Sequence, residues 1–294
     1  MMQTIFLFAL AGFLASFVDG ALGMGFGHTS SSILLITGLT PTAVSASVNL
    51  AKVATGLAAA ISHWRFRNID HQLVLRLAIP GSLGAIIGVT VLSNVDGQAL
   101  RPILALLLSV IGLRILARFS RQTRGDIADK SPDVDPNVIP PYNAYGVEFA
   151  ATLGGITNGM IGAWGPVVTP FLLHRGLQPR YAVGSVNTAE VAVALTSAVA
   201  LVISTGRDGF NISIVLAMLV AGVIAAPIAA WVIRHIPAAP LGVAVAALLL
   251  ITNARELSIW ARLDKGPYWW AAYVGVFGII VMTLLVQRWI ARRR

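Results

Sequence analysis

Residues 38–52, GLTPTAVSASVNLAK, return as residues 176–190, GLQPRYAVGSVNTAE. The matches keep a constant offset of 138: Gly38 with Gly176, Leu39 with Leu177, Pro41 with Pro179, and Ser47-Val48-Asn49 with Ser185-Val186-Asn187. At the same offset Lys52 meets Glu190. Both copies lie in strongly apolar surroundings. A polar stretch repeated at such depth points to an internally duplicated membrane protein, the architecture of many secondary transporters.

The rest of the chain agrees with that reading. Apolar residues make up 56% and charged residues 11%, with a mean hydropathy of +0.79; a soluble domain carries about 25% charged residues. Many apolar runs approach 20 residues, enough to cross about 30 Å of hydrocarbon as helix. The alternation of a β-barrel, in runs of about ten residues, is absent. The sequence therefore predicts an all-α polytopic membrane protein set in a lipid bilayer. Its net charge of +9 comes from arginines at the ends of apolar runs, where they act as topology signals, so no nucleic-acid partner is expected. There is no cysteine, which excludes disulfides and thiolate chemistry. The first apolar run, Thr4 to Leu22, lacks a basic n-region and reads as a membrane helix rather than a signal peptide.

Membrane segments are predicted at 3–21, 25–37, 41–63, 72–93, 99–118, 143–160, 163–174, 179–204, 211–233, 238–259 and 268–289. Two of them, 25–37 and 163–174, are too short to span at about 1.5 Å per residue. Each follows a longer helix across a glycine-rich break, Gly20 to Gly27 and Gly154 to Gly165. Each pair reads as a hairpin that enters the membrane and returns, with irregular backbone tolerated only inside protein or beside a wet cavity.

Charge sets the orientation. With Arg288, Arg292, Arg293 and Arg294 in the cytoplasm, that side also receives Arg65, Arg67, Arg76, Arg114, Arg118, Arg121, Arg124, Lys130, Arg175, Arg180 and Arg234. The outside receives Arg101, Arg207, Arg255, Arg262 and Lys265, the asymmetry that the positive-inside rule requires. The hairpins then open to opposite sides. The expected fold is two inverted repeats, each a broken-helix hairpin plus three transmembrane helices, with one extra C-terminal helix. The domains are 1–118, the first repeat; 119–142, a polar, proline-rich cytoplasmic linker; 143–262, the inverted second repeat; and 263–294, the extra helix, anchored by Tyr268, Trp269 and Trp270, with its basic tail.

Asn49 and Lys52, three apart, share a face of the helix at 41–63, about 12 and 17 Å along its axis. Asn187 and Glu190 hold the same places in the second copy, and inversion brings both pairs to the midplane. A lone charge there costs several kcal/mol. Lys52 and Glu190 must therefore face each other, a wet cavity or a substrate, either as a structural pair or as a binding site. Ser47 and Ser185 precede them, as packing residues or as ligands. The breaks supply half-helix N-termini, which suit an anion. Gly27 leads into His28, Thr29, Ser30, Ser31 and Ser32; Gly165 leads into the drier Pro166-Val167-Val168-Thr169. Asp19, before the first break, can take a proton, bind a cation or cap the returning half-helix. Trp164 aligns with Phe26 and can wall the cavity, gate it or simply pack. His63-Trp64-Arg65-Phe66-Arg67 reads as a headgroup anchor. His71, His174 and His235 have no metal-ligand spacing.

The tip GALGMGFG, the GL-x-P turn, the SVN stretch, the HWRFRNID helix end, the weaker second copy and the central polar linker together resemble the sulfite exporter TauE/SafE family. The resemblance covers nearly the whole chain apart from the last helix. Related sequences often carry apolar or small residues where this one has His28 to Ser32. The resemblance implies a multi-pass protein of a bacterial-type inner membrane, exporting sulfite, sulfoacetate or related organosulfonates.

The combined expectation is a secondary transporter of a small anion. Lys52, Asn49, Asn187, Ser47, Ser185, His28, Thr29, Gly27, Gly165 and Trp164 are its candidate binding residues. Glu190 and Asp19 are candidates for coupling to a proton or cation. No cofactor or metal is expected, and GxxxxGK[ST] is absent. An anion channel on the same halves, or a transporter of a non-sulfur carboxylate, is the alternative. An intramembrane enzyme would need a nucleophile with its base, and no HExxH is present.

Overall fold

The computed structural model describes residues 2–22, 26–121, 141–206, 212–233, 238–262, 274–275, 278 and 281–282. Nearly all of the linker, most of the segment at 268–289 with Tyr268, Trp269 and Trp270, the terminal arginines, and Arg207, Arg234, His235 and Lys265 lie outside the described residues.

Among the described residues there are ten main helices and no strand: α1 (Met2–Leu22), α2 (Phe26–Ile36), α3 (Pro41–Arg65), α4 (His71–Asn94), α5 (Gly97–Arg121), α6 (Val147–Ile161), α7 (Gly165–His174), α8 (Pro179–Thr205), α9 (Ile212–Ile233) and α10 (Ala238–Trp260). Four of them contain windows long and apolar enough to cross a bilayer: Pro41–Arg65, His71–Asn94, Ala99–Ala117 and Arg180–Thr205. The two short segments are present as expected, with 11 residues in α2 and 10 in α7.

The repeated turn is repeated in backbone as well. Gly38 and Gly176 both adopt φ +88°, a region that costs other residues about 1–2 kcal/mol. Pro41 and Pro179 then open α3 and α8 at their first turns. In the first copy Thr40 Oγ1 accepts from Ala43 N at 3.3 Å, a side-chain cap that Gln178 does not reproduce. Asp70 caps α4 by accepting from Leu73 N at 3.1 Å. One boundary differs from expectation. α6 begins at Val147 rather than 143 because Gly146 turns the chain at φ +79° and Asn143 Oδ1 accepts from Tyr145 N.

The chain divides into two compact units. The first comprises residues 1–100 and 135–229. Within it, α3 and α8 run antiparallel. His63, late in α3, meets Asn187, early in α8; Gly56 faces Val191; Asn49, earlier in α3, shares Asn158 with Ser197, later in α8. By the same logic α4 runs parallel to α8, with Ser82 bonded to Thr196 and Ser93 to Ser204.

Glycine lets the backbones touch. A Cβ on Gly84 or Gly88 of α4 would overlap the Thr152 or Ile156 carbonyl of α6, and one on Gly155 or Gly159 would overlap Gly81 or Ala85. Small residues at such contacts are the usual device of membrane helices. α1 and α9 meet similarly, with Gly12 on the Met218 backbone and Gly222 on Ser16. Both pairs, α4 with α6 and α1 with α9, are parallel. Leu73, Leu77, Trp164, Leu172, Tyr181 and Val193 belong to one buried apolar cluster.

The second unit comprises residues 101–134 and 230–294. In it Gly112 of α5 packs on Leu249 and Leu250 of α10. Glu256 pairs with Arg101 at 3.9 Å and with Arg255 at 3.2 Å.

Candidate functional site

The site is built where the two hairpins break. α6 ends in Gly162, whose φ of +70° lets its N–H reach Asn158 O at 2.7 Å. Thr157 Oγ1 steadies the turn by donating to Ala163 O at 2.6 Å. α7 then begins at Gly165 with no side-chain cap. The first break is closed differently: Phe26 N, opening α2, donates to Asp19 Oδ1 at 3.3 Å. Asp19 and Thr157 stand at equivalent positions of the repeat, so one half carries a carboxylate where the other carries a hydroxyl. The tips touch, and a Cβ on Gly27 would collide with the Gly162 carbonyl.

Lys52 reaches this junction from α3. It is 5% exposed and forms an ion pair with Glu190 of α8, which is 17% exposed. Lys52 Nζ also donates to Gly162 O at 2.8 Å and to Asn158 Oδ1 at 3.2 Å. Asn158 spends its amide nitrogen on Asn49 Oδ1 at 2.7 Å and Ser197 Oγ at 3.0 Å. Asn49 in turn donates to Ser45 O at 3.0 Å and Asn158 O at 3.2 Å. This network is satisfied, as buried polar groups must be. His28 is not: it is 1% exposed, and neither ring nitrogen has a hydrogen-bond partner among the described residues. The same holds for Thr29, Ser47 and Thr169 hydroxyls.

Asp19, Gly27, His28, Lys52, Gly165, Asn187 and Glu190 thus line one pocket, with Phe26, Gly162 and Pro166. Its volume is about 10 Å³, room for about one water. The other residues singled out by sequence lie elsewhere. Asn49 is one step removed, behind Asn158. Ser47 and Thr29 are buried away from the pocket. Ser185 Oγ accepts from Asp70 N at 2.9 Å, at the start of α4. Trp164 is fully buried in the apolar cluster, where its indole donates to Val186 O at 3.1 Å. Among the described residues no cluster of three His, Asp or Glu could hold a metal.

Asn158 and Gly162 were not anticipated. Their signal was faint: a lone asparagine beside a glycine in the stretch TNG, with no asparagine at the matching place in the first half, where Gly20 stands.

Around the turn from α3 to α4, Asn187 Nδ2 lies 3.4 Å from His63 Nε2, and Tyr142 donates its hydroxyl to Asp70 Oδ2 at 3.3 Å. Burial, and then the charge and hydrogen bond of Asp70, push the Tyr142 phenol up to about 12. Arg76 ties this end to α6, with Nε 2.6 Å from Glu148 Oε1.

Residues 8–255 match the sequence profile of the family described as "Sulfite exporter TauE/SafE". The chain belongs to that family. The match takes in both glycine-rich breaks, both copies of the repeated turn and every residue of the pocket. This TauE/SafE chain is also 40% identical over 257 residues to "Probable membrane transporter protein YtnM" of Bacillus subtilis (strain 168), an alignment covering 87% of this chain and 83% of that protein. No solved structure matches it. Family and helices together make it a multi-pass membrane protein.

Proposed function

We propose that this TauE/SafE protein is a secondary transporter that exports a small anion, sulfite or an organosulfonate such as sulfoacetate. The family description names sulfite export, and the Bacillus subtilis relative is named a probable membrane transporter. One observation carries the reading: a buried ammonium, Lys52, stands between two broken-helix tips beside a histidine that has no hydrogen-bond partner among the described residues. Lys52, His28, Asn187 and the N-terminus of α7 at Gly165 would hold the anion's oxygens. Glu190 and Asp19 would supply coupling to a proton or cation.

The mechanism is alternating access between inverted halves, residues 1–118 and 143–262, joined by a cytoplasmic linker and followed by an extra helix at 263–294. The antiparallel packing of the sequence-equivalent helices α3 and α8 supports inversion. So does the exchange in which α6 packs on α4 while α1 packs on α9. A pocket of about 10 Å³ is too small for a sulfonate, so this conformation is closed and the halves must rock apart to load it. The positive-inside count supports a cytoplasmic C-terminus in a bacterial-type inner membrane.

The test is a binding screen of the purified protein against sulfite, sulfoacetate, methanesulfonate, taurine, sulfate and acetate. A sulfur oxyanion should raise the melting temperature in a concentration-dependent way. Stabilisation by acetate alone would replace the sulfur substrate with a carboxylate. No stabilisation by any anion would remove the anion site.

A further inference from the structure

The pocket is lined by two carboxylates and one ammonium. Asp19 comes from α1, Glu190 from α8 and Lys52 from α3. Among the described residues the remaining titratable group at its wall is His28 of α2; His63 of α3 stands beyond, against Asn187. α6 and α7 contribute backbone, Gly162 and Gly165, and α4 meets α8 through Gly81 and Ser82. With both carboxylates ionised and the histidines neutral, the pocket's formal charge is already −1 before any substrate arrives. Its volume leaves no room for a screening shell of water.

An added anion would take that charge to −2 in a low-dielectric interior, which is strongly unfavourable. The two carboxylates are not equivalent in meeting it. Asp19 is committed to the fold, holding Phe26 N at the start of α2. Glu190 is held by the Lys52 ammonium, which is the group an anion needs. Any anion that takes Lys52 strips Glu190 of its counter-charge.

We propose that each monoanion enters the pocket together with one proton, which Glu190 takes as the anion replaces its carboxylate at Lys52. This rests on the anion-transport reading above and specifies its coupling. The proton comes from solvent and binds a Glu190 oxygen; no other bond is made or broken. The pocket's charge stays at −1 whether empty or loaded. The transported unit is then anion plus proton, moved without net charge.

Methanesulfonate is a suitable probe, because it stays a monoanion across the neutral range. Calorimetric titration of the wild-type protein, in two buffers of different ionisation enthalpy, counts the protons bound per anion. Uptake of about one proton is expected, with Kd rising as pH rises, by about tenfold per pH unit wherever a full proton is taken up. Glu190→Gln should bind methanesulfonate with no proton uptake and a Kd flat in pH. Wild-type binding without proton uptake would overturn the inference while leaving the anion site standing. Uptake that persists in Glu190→Gln would overturn it as well, by placing the proton on Asp19 or His28. Should the variant not fold, the wild-type proton count and pH slope still decide. Failure of the wild type to bind would defeat the anion site itself, and the inference with it.

Discussion

Lys52 shows what one residue can disclose. A lysine twelve residues into a helix, with mostly small and apolar side chains around it, has to find partners, and it finds Glu190, Gly162 and Asn158. Glu190, Asp19, His28 and Asn187 were legible for the same reason. Ser185 was misleading because residues two apart on a helix face different ways: Asn187 and Glu190 share the pocket face, while Ser185 turns to Asp70. The network around Asn49 was hidden because its partner, Asn158, has only Gly20 at the equivalent place in the first half. Lys52→Ala leaves Glu190 buried without its cation, so a loss of about 3–5 kcal/mol is expected, measured as lowered thermal stability in detergent. The double variant Lys52→Met, Glu190→Gln should regain most of that stability yet show no response to sulfur oxyanions. Recovery of both would mean that the pair is purely structural. Tyr142 gives a pH prediction outside the membrane. Its phenol is raised from 10.0 to about 12, so the neutral form is favoured in the fold. The contribution is complete below pH 10.0 and lost as pH climbs toward about 12. Phenolate absorbance of wild type against Tyr142→Phe should show one tyrosine titrating late; equal curves at ordinary pH would refute the contact with Asp70.

At the scale of elements, apolar runs and punctuation sufficed. α3 and α8 start where Pro41 and Pro179 follow the repeated glycine turn, and α2 and α7 are short because glycine-rich breaks precede them. The start of α6 was misplaced by four residues because the turn at Asn143–Gly146 depends on a side-chain hydrogen bond and a left-handed glycine. Neither has a hydrophobic signature. Which helices would touch was also illegible: Gly81, Gly84 and Gly88 mark α4 as a close-packing helix, but nothing along the chain names α6 as its partner. Gly155→Leu tests that contact. Its side chain would meet the Gly81 carbonyl and force α4 from α6, with destabilisation of at least about 1–3 kcal/mol. A melting temperature equal to wild type would show that the helices do not pack this closely. Gly275, where an added Cβ meets nothing within 4 Å among the described residues, is the control position.

For the whole molecule, the inverted halves are part of the proposal, for which the antiparallel course of α3 and α8 is the support. The expectation of inversion rested on charge counting, since a repeat in sequence does not state the direction in which its second copy crosses the membrane. The chain contains no cysteine, so single cysteines report sidedness without background. Thr40→Cys and Gln178→Cys occupy equivalent positions, and a membrane-impermeant maleimide should reach them from opposite faces. Labelling of both from the same face would make the halves parallel. The central claim, that Lys52 between the two broken tips is where a sulfur oxyanion crosses, is tested most directly by counterflow. Proteoliposomes preloaded with unlabelled sulfite should draw labelled sulfite transiently inward, saturably, in the wild type, and should lose this in the stable double variant Lys52→Met, Glu190→Gln. Counterflow that survives unchanged in that variant would contradict the account.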